Sequence, residues 1–173
     1  MRCHVLLVGL PGSGKTTVGQ LVAQTLDARF VDVDALVEAR TGMRVERLFA
    51  ERGEAAFRAL ERDEVASELA GEPGVIAPGG GWAAQPGNLE AAAAALTVYL
   101  SVTPEEAARR LAADGSTVRP LLPRSDLRGA LERLLAARQP FYARCRATVE
   151  TVGQNPEGVA RDVAQLARSV GGW

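Results

Sequence analysis

The sequence predicts an α/β protein, a five-stranded parallel sheet with helices on both faces. Three observations point there. Short β-like runs alternate with longer helical patterns along the whole of the 173-residue chain. The first run, "HVLLV", is continuously apolar after His4, as a strand covered on both faces must be. The glycine-rich stretch "GLPGSGKTT", Gly9–Thr17, follows that run directly and leads into a helical pattern. Alternating β and α elements imply right-handed crossovers between parallel strands. Ligands of such sheets bind outside the carboxyl ends of the strands.

Taken in order, "CHVLLV" (Cys3–Val8) is the first strand and "TTVGQLVAQTL" the first helix. "ARFVDV" is the second strand. "DALVEART" follows as a helix, with Asp34 its expected N-cap, because a short acceptor side chain there can take an unpaired backbone N–H. "VERLFAERGEAAFRALERDEVASELA" is helical on both sides of a break at Gly53. "GVIAP", "LTVYLSV" and "ATVETV" are the third, fourth and fifth strands. Helices are expected over Pro86–Ala95, Pro104–Ala113, Ser125–Cys145 and Pro156–Val170. The alanine run Ala91–Ala95 fits the first of these through its helix propensity.

Composition bounds the function classes. The length favours a single domain, residues 1–173. Hydrophobic residues make up 47%, enough for a real core, and the net charge is −1. That balance points to neither nucleic acid nor a membrane surface as partner. No apolar run approaches the ~18–20 residues of a transmembrane helix, and the N-terminal run lacks a signal-peptide pattern. Cys3 and Cys145 do not make a disulfide framework, so two reduced thiols and a cytoplasmic location are expected. His4, the sole histidine, is expected to be structural.

"GLPGSGKT" fits G-x-x-x-x-G-K-[ST] at Gly9, Gly14, Lys15 and Thr16, in the strand-to-helix context that the motif requires. Glycines let the backbone wrap a phosphate and aim N–H groups inward, and the helix start adds its positive end. Thr16 supplies a hydroxyl for Mg2+. Lys15 is the only lysine beside nineteen arginines. A compact point charge on a flexible stem suits moving phosphate charge better than arginine's planar fork.

Such a loop predicts a nucleoside triphosphate and leaves the acceptor open. The second strand ends in "VDVD". Asp32 and Asp34, two apart, face one side of an extended strand, where one can hold Mg2+ through water and the other can take a hydroxyl proton; a helix cap with a solvated neighbour is the alternative. Phe57, Arg58 and Glu61 share one helix face. Arg58–Glu61 is either a surface pair or a glutamate orienting an arginine fork toward a substrate carboxylate, with Phe49 and Phe57 as an apolar wall. "PGGGW" allows close approach to the backbone at the third strand's carboxyl end, unless it is a plain loop. "DGSTVRPLL" reads as a lid carrying Arg119 to the phosphoryl group, or as a surface loop. Arg138, just before a helix-disturbing proline, is a second carboxylate clamp or a partner for exposed carbonyls.

The ordered set "GLPGSGKTT", "VDVD", "FRALE", "GGG", "TVRPLL" and "RQPFY" resembles the shikimate kinase family over nearly the whole chain. The resemblance implies a compact P-loop kinase fold with a small substrate-binding helical region (about 33–61) and a lid (about 112–124). It implies transfer of the γ-phosphate of ATP to the 3-hydroxyl of shikimate, in the pathway to aromatic amino acids, by a monomer using Mg2+. Matched motif by motif, Asp34 is the base at the substrate hydroxyl. Arg58 and Arg138 grip the carboxylate, with Phe49, Phe57 and Glu61 around them, and Gly80 offers its backbone to the ring hydroxyls. Gly12, Ser13, Gly14, Lys15, Thr16 and Thr17 hold the nucleotide phosphates. Arg119 joins Lys15 in stabilising their charge, Arg110 stacks on adenine, and Thr16 ligates Mg2+ with Asp32 behind it. Three positions depart from the pattern. Ala77 stands where a hydrogen-bonding residue is usual, which shifts the metal's support toward Asp32. Trp82 follows the glycines where a small residue is usual and is expected to crowd or reshape the pocket. Gln154 occupies the place of an adenine-side arginine.

Overall fold

The strand that precedes the glycine-rich loop lies at the centre of the sheet. The computed structural model describes residues 2–114 and 121–173. Its strands are β1 (Val5–Val8), β2 (Phe30–Asp32), β3 (Val75–Ala77), β4 (Leu96–Ser101) and β5 (Ala147–Glu150). They lie in the order β2-β3-β1-β4-β5, every pair parallel. Register sets Leu6 opposite Ile76 on one side and Thr97 on the other, so all five carboxyl ends open onto one edge.

Both faces of β1 are buried, which explains its unbroken apolar run. Leu6 and Val8 face a core layer shared with Leu48, Phe57, Val65 and Leu131. Val5 and Leu7 face the opposite layer, shared with Val22 and Val163. The helices divide accordingly. α1 (Lys15–Leu26) and α7 (Pro156–Val170) pack on one face; α2 (Val33–Thr41), α3 (Val45–Leu69), α5 (Pro104–Asp114) and α6 (Leu127–Tyr142) cover the other. α7 shows the required spacing, burying Val159, Ala160, Val163, Ala164 and Ala167 at steps of one, three and four. Asn155 caps it, accepting from the Gly158 N–H, and Pro156 opens it.

The predicted break in α3 is real. Gly53 has φ 81° and ψ 168°, a conformation open essentially to glycine, and it divides the helix into two segments. The second segment carries Phe57, Arg58 and Glu61.

Three expectations need correction. The N-cap of α2 is Asp32 rather than Asp34: its Oδ1 accepts from the N–H groups of Asp34 (3.1 Å) and Ala35 (3.4 Å). β2 ends one residue sooner than predicted, and Asp34 therefore enters the first helical turn. The helix expected over Pro86–Ala95 shrinks to α4 (Asn88–Ala91). Gly87 precedes it at φ 82°, and the chain must leave the helix to reach β4 at Leu96, so packing overrides alanine's propensity. The helix expected from Ser125 begins at Leu127, after a 3₁₀ turn at Arg124–Asp126. Residues 115–120 of the predicted lid, Arg119 among them, lie outside the described residues.

Candidate active site

One cleft of about 880 Å³ runs along the carboxyl edge of the sheet. Every candidate site residue in the described part of the chain, except Glu61, lines it. At one end the loop after β1 turns into α1, whose N-cap is Gly14 at φ 90°. Lys15 arches back over this loop, and its Nζ donates to the carbonyls of Gly9 (2.8 Å) and Leu10 (3.0 Å). Thr16, one residue on, donates from Oγ1 to Asp32 Oδ2 at 3.1 Å. Asp32 thus does two things at once: one oxygen caps α2 and the other faces the phosphate loop. A hydroxyl and a carboxylate side by side are hard oxygen donors of the kind Mg2+ takes. Among the described residues no three His, Cys, Asp or Glu side chains gather as a cation cage. A metal here therefore suits the mode in which phosphates and waters complete the shell.

The nucleotide end is closed by α5. Arg110 Nη1 donates to Thr151 Oγ1 (3.0 Å) and to the Gly12 carbonyl (3.4 Å), and Nη2 donates to the Thr151 carbonyl (3.0 Å). Its Nε donates to Glu106 at 2.9 Å. Hydrogen bonds from Arg109 and Arg110 hold the Glu106 carboxyl down to about 2. The guanidinium plane is therefore fixed on three sides beside the loop. Gln154 reaches the same end, its Nε2 donating to the Glu150 carbonyl at 2.9 Å. Thr151 and Glu106 had no assigned role in the sequence reading, because their partner lies far from Thr151 along the chain.

The other end is built by α3, α6 and the glycine loop after β3. Arg58 Nη1 donates to Glu61 Oε2 at 2.8 Å, and Glu61 is fully buried. The pair is no surface decoration: it lies on the core side of the cleft. Burial pushes the Glu61 carboxyl above its ordinary value, Arg58 beside it pulls back, and the charge of Asp34 pushes it up again. Glu54 holds the outer side of Arg58, accepting from Nε and Nη2 at 3.4 and 3.3 Å. Phe49 and Phe57 meet at 4.9 Å between ring centroids and form the expected apolar wall.

Arg138 comes from α6 and is 6% exposed. Its Nη1 is buried and has no hydrogen-bond partner among the described residues. A buried guanidinium donor left so is costly, and an anion is the group that would complete it. The two arginines converge at Gly81. A Cβ there would stand 3.0 Å from Arg138 Nη2 and would overlap Arg58 Nη2 outright. Only glycine leaves room for both forks. At Gly79 a Cβ would likewise run into Glu61 Oε1 and stand 3.4 Å from Asp34 Oδ1. Asp34, in the first turn of α2, therefore sits against the same loop. Trp82 does not crowd the cleft. It is 1% exposed in the core behind the loop, and its carbonyl accepts from Asn88 Nδ2 at 2.9 Å. Ala77 does line the cleft and brings no polar group.

A sheet in this strand order, with a phosphate loop after the central strand, is the architecture of a P-loop kinase. The family model described as shikimate kinase matches residues 11–168. The chain belongs to the shikimate kinase family. It is 46% identical over 162 residues to a shikimate kinase of Salinispora arenicola, covering 93% of this chain and 95% of that one. It is 42% identical over 162 residues to one of Mycobacterium avium, covering 93% and 91%. The structure of the Acinetobacter baumannii shikimate kinase in complex with shikimate superposes with a TM-score of 0.88 at 34% identity, covering 98% of this chain and 94% of that one. A gluconokinase of Sinorhizobium meliloti, 17% identical with a TM-score of 0.66, shares the fold.

Proposed function

We propose that this chain transfers the γ-phosphate of ATP to the 3-hydroxyl of shikimate, giving 3-phosphoshikimate and ADP. The observation that carries the reading is the meeting of Arg58 and Arg138 on Gly81, with a buried Arg138 donor that has no acceptor among the described residues. A carboxylate placed there takes both forks, and an alcohol on the same small ring then reaches Asp34. Membership of the family, and the shikimate held by the Acinetobacter relative, support the same substrate.

Each residue then has a chemical task. The backbone from Gly12 to Gly14 and the start of α1 receive the β- and γ-phosphates. Lys15 exchanges its bonds to Gly9 and Leu10 for phosphate oxygens. Thr16 and Asp32 would hold Mg2+, Asp32 through water, and the ion would supply positive charge to offset the phosphate charge. Arg110 presents its fixed plane to adenine, with Gln154 beside it. Asp34 accepts the hydroxyl proton while the new O–P bond forms and the bond from γ-phosphorus to the bridging oxygen breaks, with the electron pair leaving on ADP. Arg119 adds charge stabilisation at that phosphorus. Catalysis is positioning and electrostatics, since the groups are fixed before reaction begins. We place the chain in the cytoplasm as a monomer, with no nucleic acid or membrane partner; among the described residues no helix is long and apolar enough to cross a membrane.

The test is coupled ADP release with ATP and Mg2+ over a panel of small polyol acids. Turnover with shikimate is expected. Turnover with gluconate and not shikimate would replace the substrate, and no turnover with any acid would leave a nucleotide-binding protein without kinase activity.

A further inference from the structure

α6 sends two side chains to the glycine loop, and the sequence reading gave a role to only one. Arg138 and Tyr142 are four residues apart and so lie on one helix face. Both are buried. The Tyr142 hydroxyl donates to the carbonyl of Gly80 at 2.7 Å. A Cβ at Gly80 would stand 3.0 Å from Arg138 Nη1 and 3.1 Å from the Gly9 carbonyl, so Gly80 lies where the arginine clamp meets the phosphate loop. The Tyr142 ring stacks on Tyr99 of β4, 4.6 Å between centroids and 17° from parallel, which leaves the hydroxyl little freedom to swing away.

We propose that Tyr142 is a positioning residue of the substrate pocket, its hydroxyl holding the Gly80 peptide and the Arg138 guanidinium in their binding geometry. This deepens the shikimate kinase reading and rests on it. The physical route is short. A peptide is planar, so a fixed Gly80 carbonyl also fixes the direction of the Gly81 N–H on its far side. Gly81 is the residue against which both guanidiniums lie. A loop with three consecutive glycines has no side chains of its own to hold that plane, and the hydroxyl supplies the restraint from outside. Burial pushes the phenol up to about 12 against the pull of the neighbouring Arg138 charge, so at neutral pH it is protonated and can donate.

The test is Tyr142→Phe, which keeps the ring stack and removes the hydroxyl, beside Tyr99→Phe, which removes the other hydroxyl of the same stack. Steady-state KM values for shikimate and ATP, with kcat, are measured for both and for the wild-type chain. Loss of one hydrogen bond that acts on the ground-state pocket is expected to raise KM for shikimate about fivefold to tenfold in Tyr142→Phe. KM for ATP should stay at the wild-type value, and Tyr99→Phe should change neither. Arg138→Lys should cost less in the Tyr142→Phe background than alone, since the guanidinium it removes is already loose. Equal rises in both KM values, no rise at all, an additive double variant, or a Tyr142→Phe chain that no longer folds would each overturn the proposal, because the hydroxyl would then serve the core rather than the pocket. A wild-type chain inert toward shikimate overturns the functional reading itself, and this inference with it. An active wild-type chain with an unaltered Tyr142→Phe variant overturns this inference alone.

Discussion

At the scale of single residues, charges in the acceptor half of the cleft are held by one another before any ligand arrives. Asp34 sits near Glu61, Glu61 holds Arg58, and Arg58 shares Gly81 with Arg138. Asp34→Asn keeps the shape and removes the carboxylate proposed as proton acceptor. It should lower kcat by about 10²–10⁴-fold while nucleotide affinity, read by titration, stays unchanged. Glu61 makes a separate prediction in pH. Its folded value lies above the ordinary 4.5, so between the two the folded chain keeps a proton that the unfolded chain releases. Stability from this group therefore falls as pH rises from 4.5 through the raised value, then levels. Urea titrations at a series of pH values should show that slope in the wild-type chain and a flatter one in Glu61→Gln. Glu106 acts with the opposite sign. Held down to about 2, it contributes stability above 4.5 that is lost as pH falls from there toward 2.

At the scale of elements, the ends of helices carry the chemistry, and structural and functional tasks overlap there. Asp32 is both the cap of α2 and the oxygen partner of Thr16. Two substitutions separate the tasks. Asp32→Ala removes the cap and should cost about 0.5–2 kcal/mol of stability by thermal or urea unfolding. Asp32→Asn retains a good capping group, so stability should hold while the Mg2+ concentration needed for half-maximal turnover rises. The kink in α3 is a second case. Among the described residues, nothing outside its own stretch of helix lies within 4 Å of a Cβ built on Gly53, so alanine there meets a forbidden backbone rather than a tertiary clash. Gly53→Ala should lower stability by about 1–3 kcal/mol. Because the kink aims the segment bearing Arg58, the same variant should raise KM for shikimate more than KM for ATP. Of the helices mispredicted at their ends, α2 and α4 were displaced by neighbouring structure. The carboxylate that caps α2 is the one that also reaches Thr16, and α4 gives way to the entry into β4.

At the scale of the whole molecule, the parallel sheet brings residues 62 to 98 positions apart into contact along one edge. Gly12 meets Arg110, which also donates to Thr151; Gly80 meets Tyr142 and stands against Gly9. The cleft then has two ends that share a wall. A nucleotide analogue with Mg2+ at a hundred times its Kd should stabilise the chain by about 2.7 kcal/mol, and shikimate should add its own shift. Lys15→Met should remove most of the nucleotide shift and spare that of shikimate, and Arg138→Lys should do the reverse. Thermal scans with each ligand alone and together check all of this. Equal losses of both shifts in either variant would mean that the two ends are not separately built.

What the sequence alone determines here is local. A glycine-rich run between an apolar strand and a helix has few conformations open to it other than a phosphate loop. Unbroken apolar strands must be covered twice, and a glycine inside a helical pattern breaks it at Gly53. Residue types at fixed spacing were enough to pick out Lys15, Thr16, Asp32 and Asp34. Arg58 and Arg138 stood out from their own neighbours with a plainer alternative beside each, while Arg110 and the particular role of Gly80 became legible only through the ordered resemblance to a family. Tertiary structure alone decided which alternatives held. Burial, a property of the packed core, turned Arg58–Glu61 from a candidate surface pair into a hydrogen-bonded pair on the core side of the cleft. It turned Trp82 away from the pocket and Tyr142 toward the glycine loop. No periodicity in the chain encodes these facts, because each depends on which distant element happens to lie on the other side of the side chain.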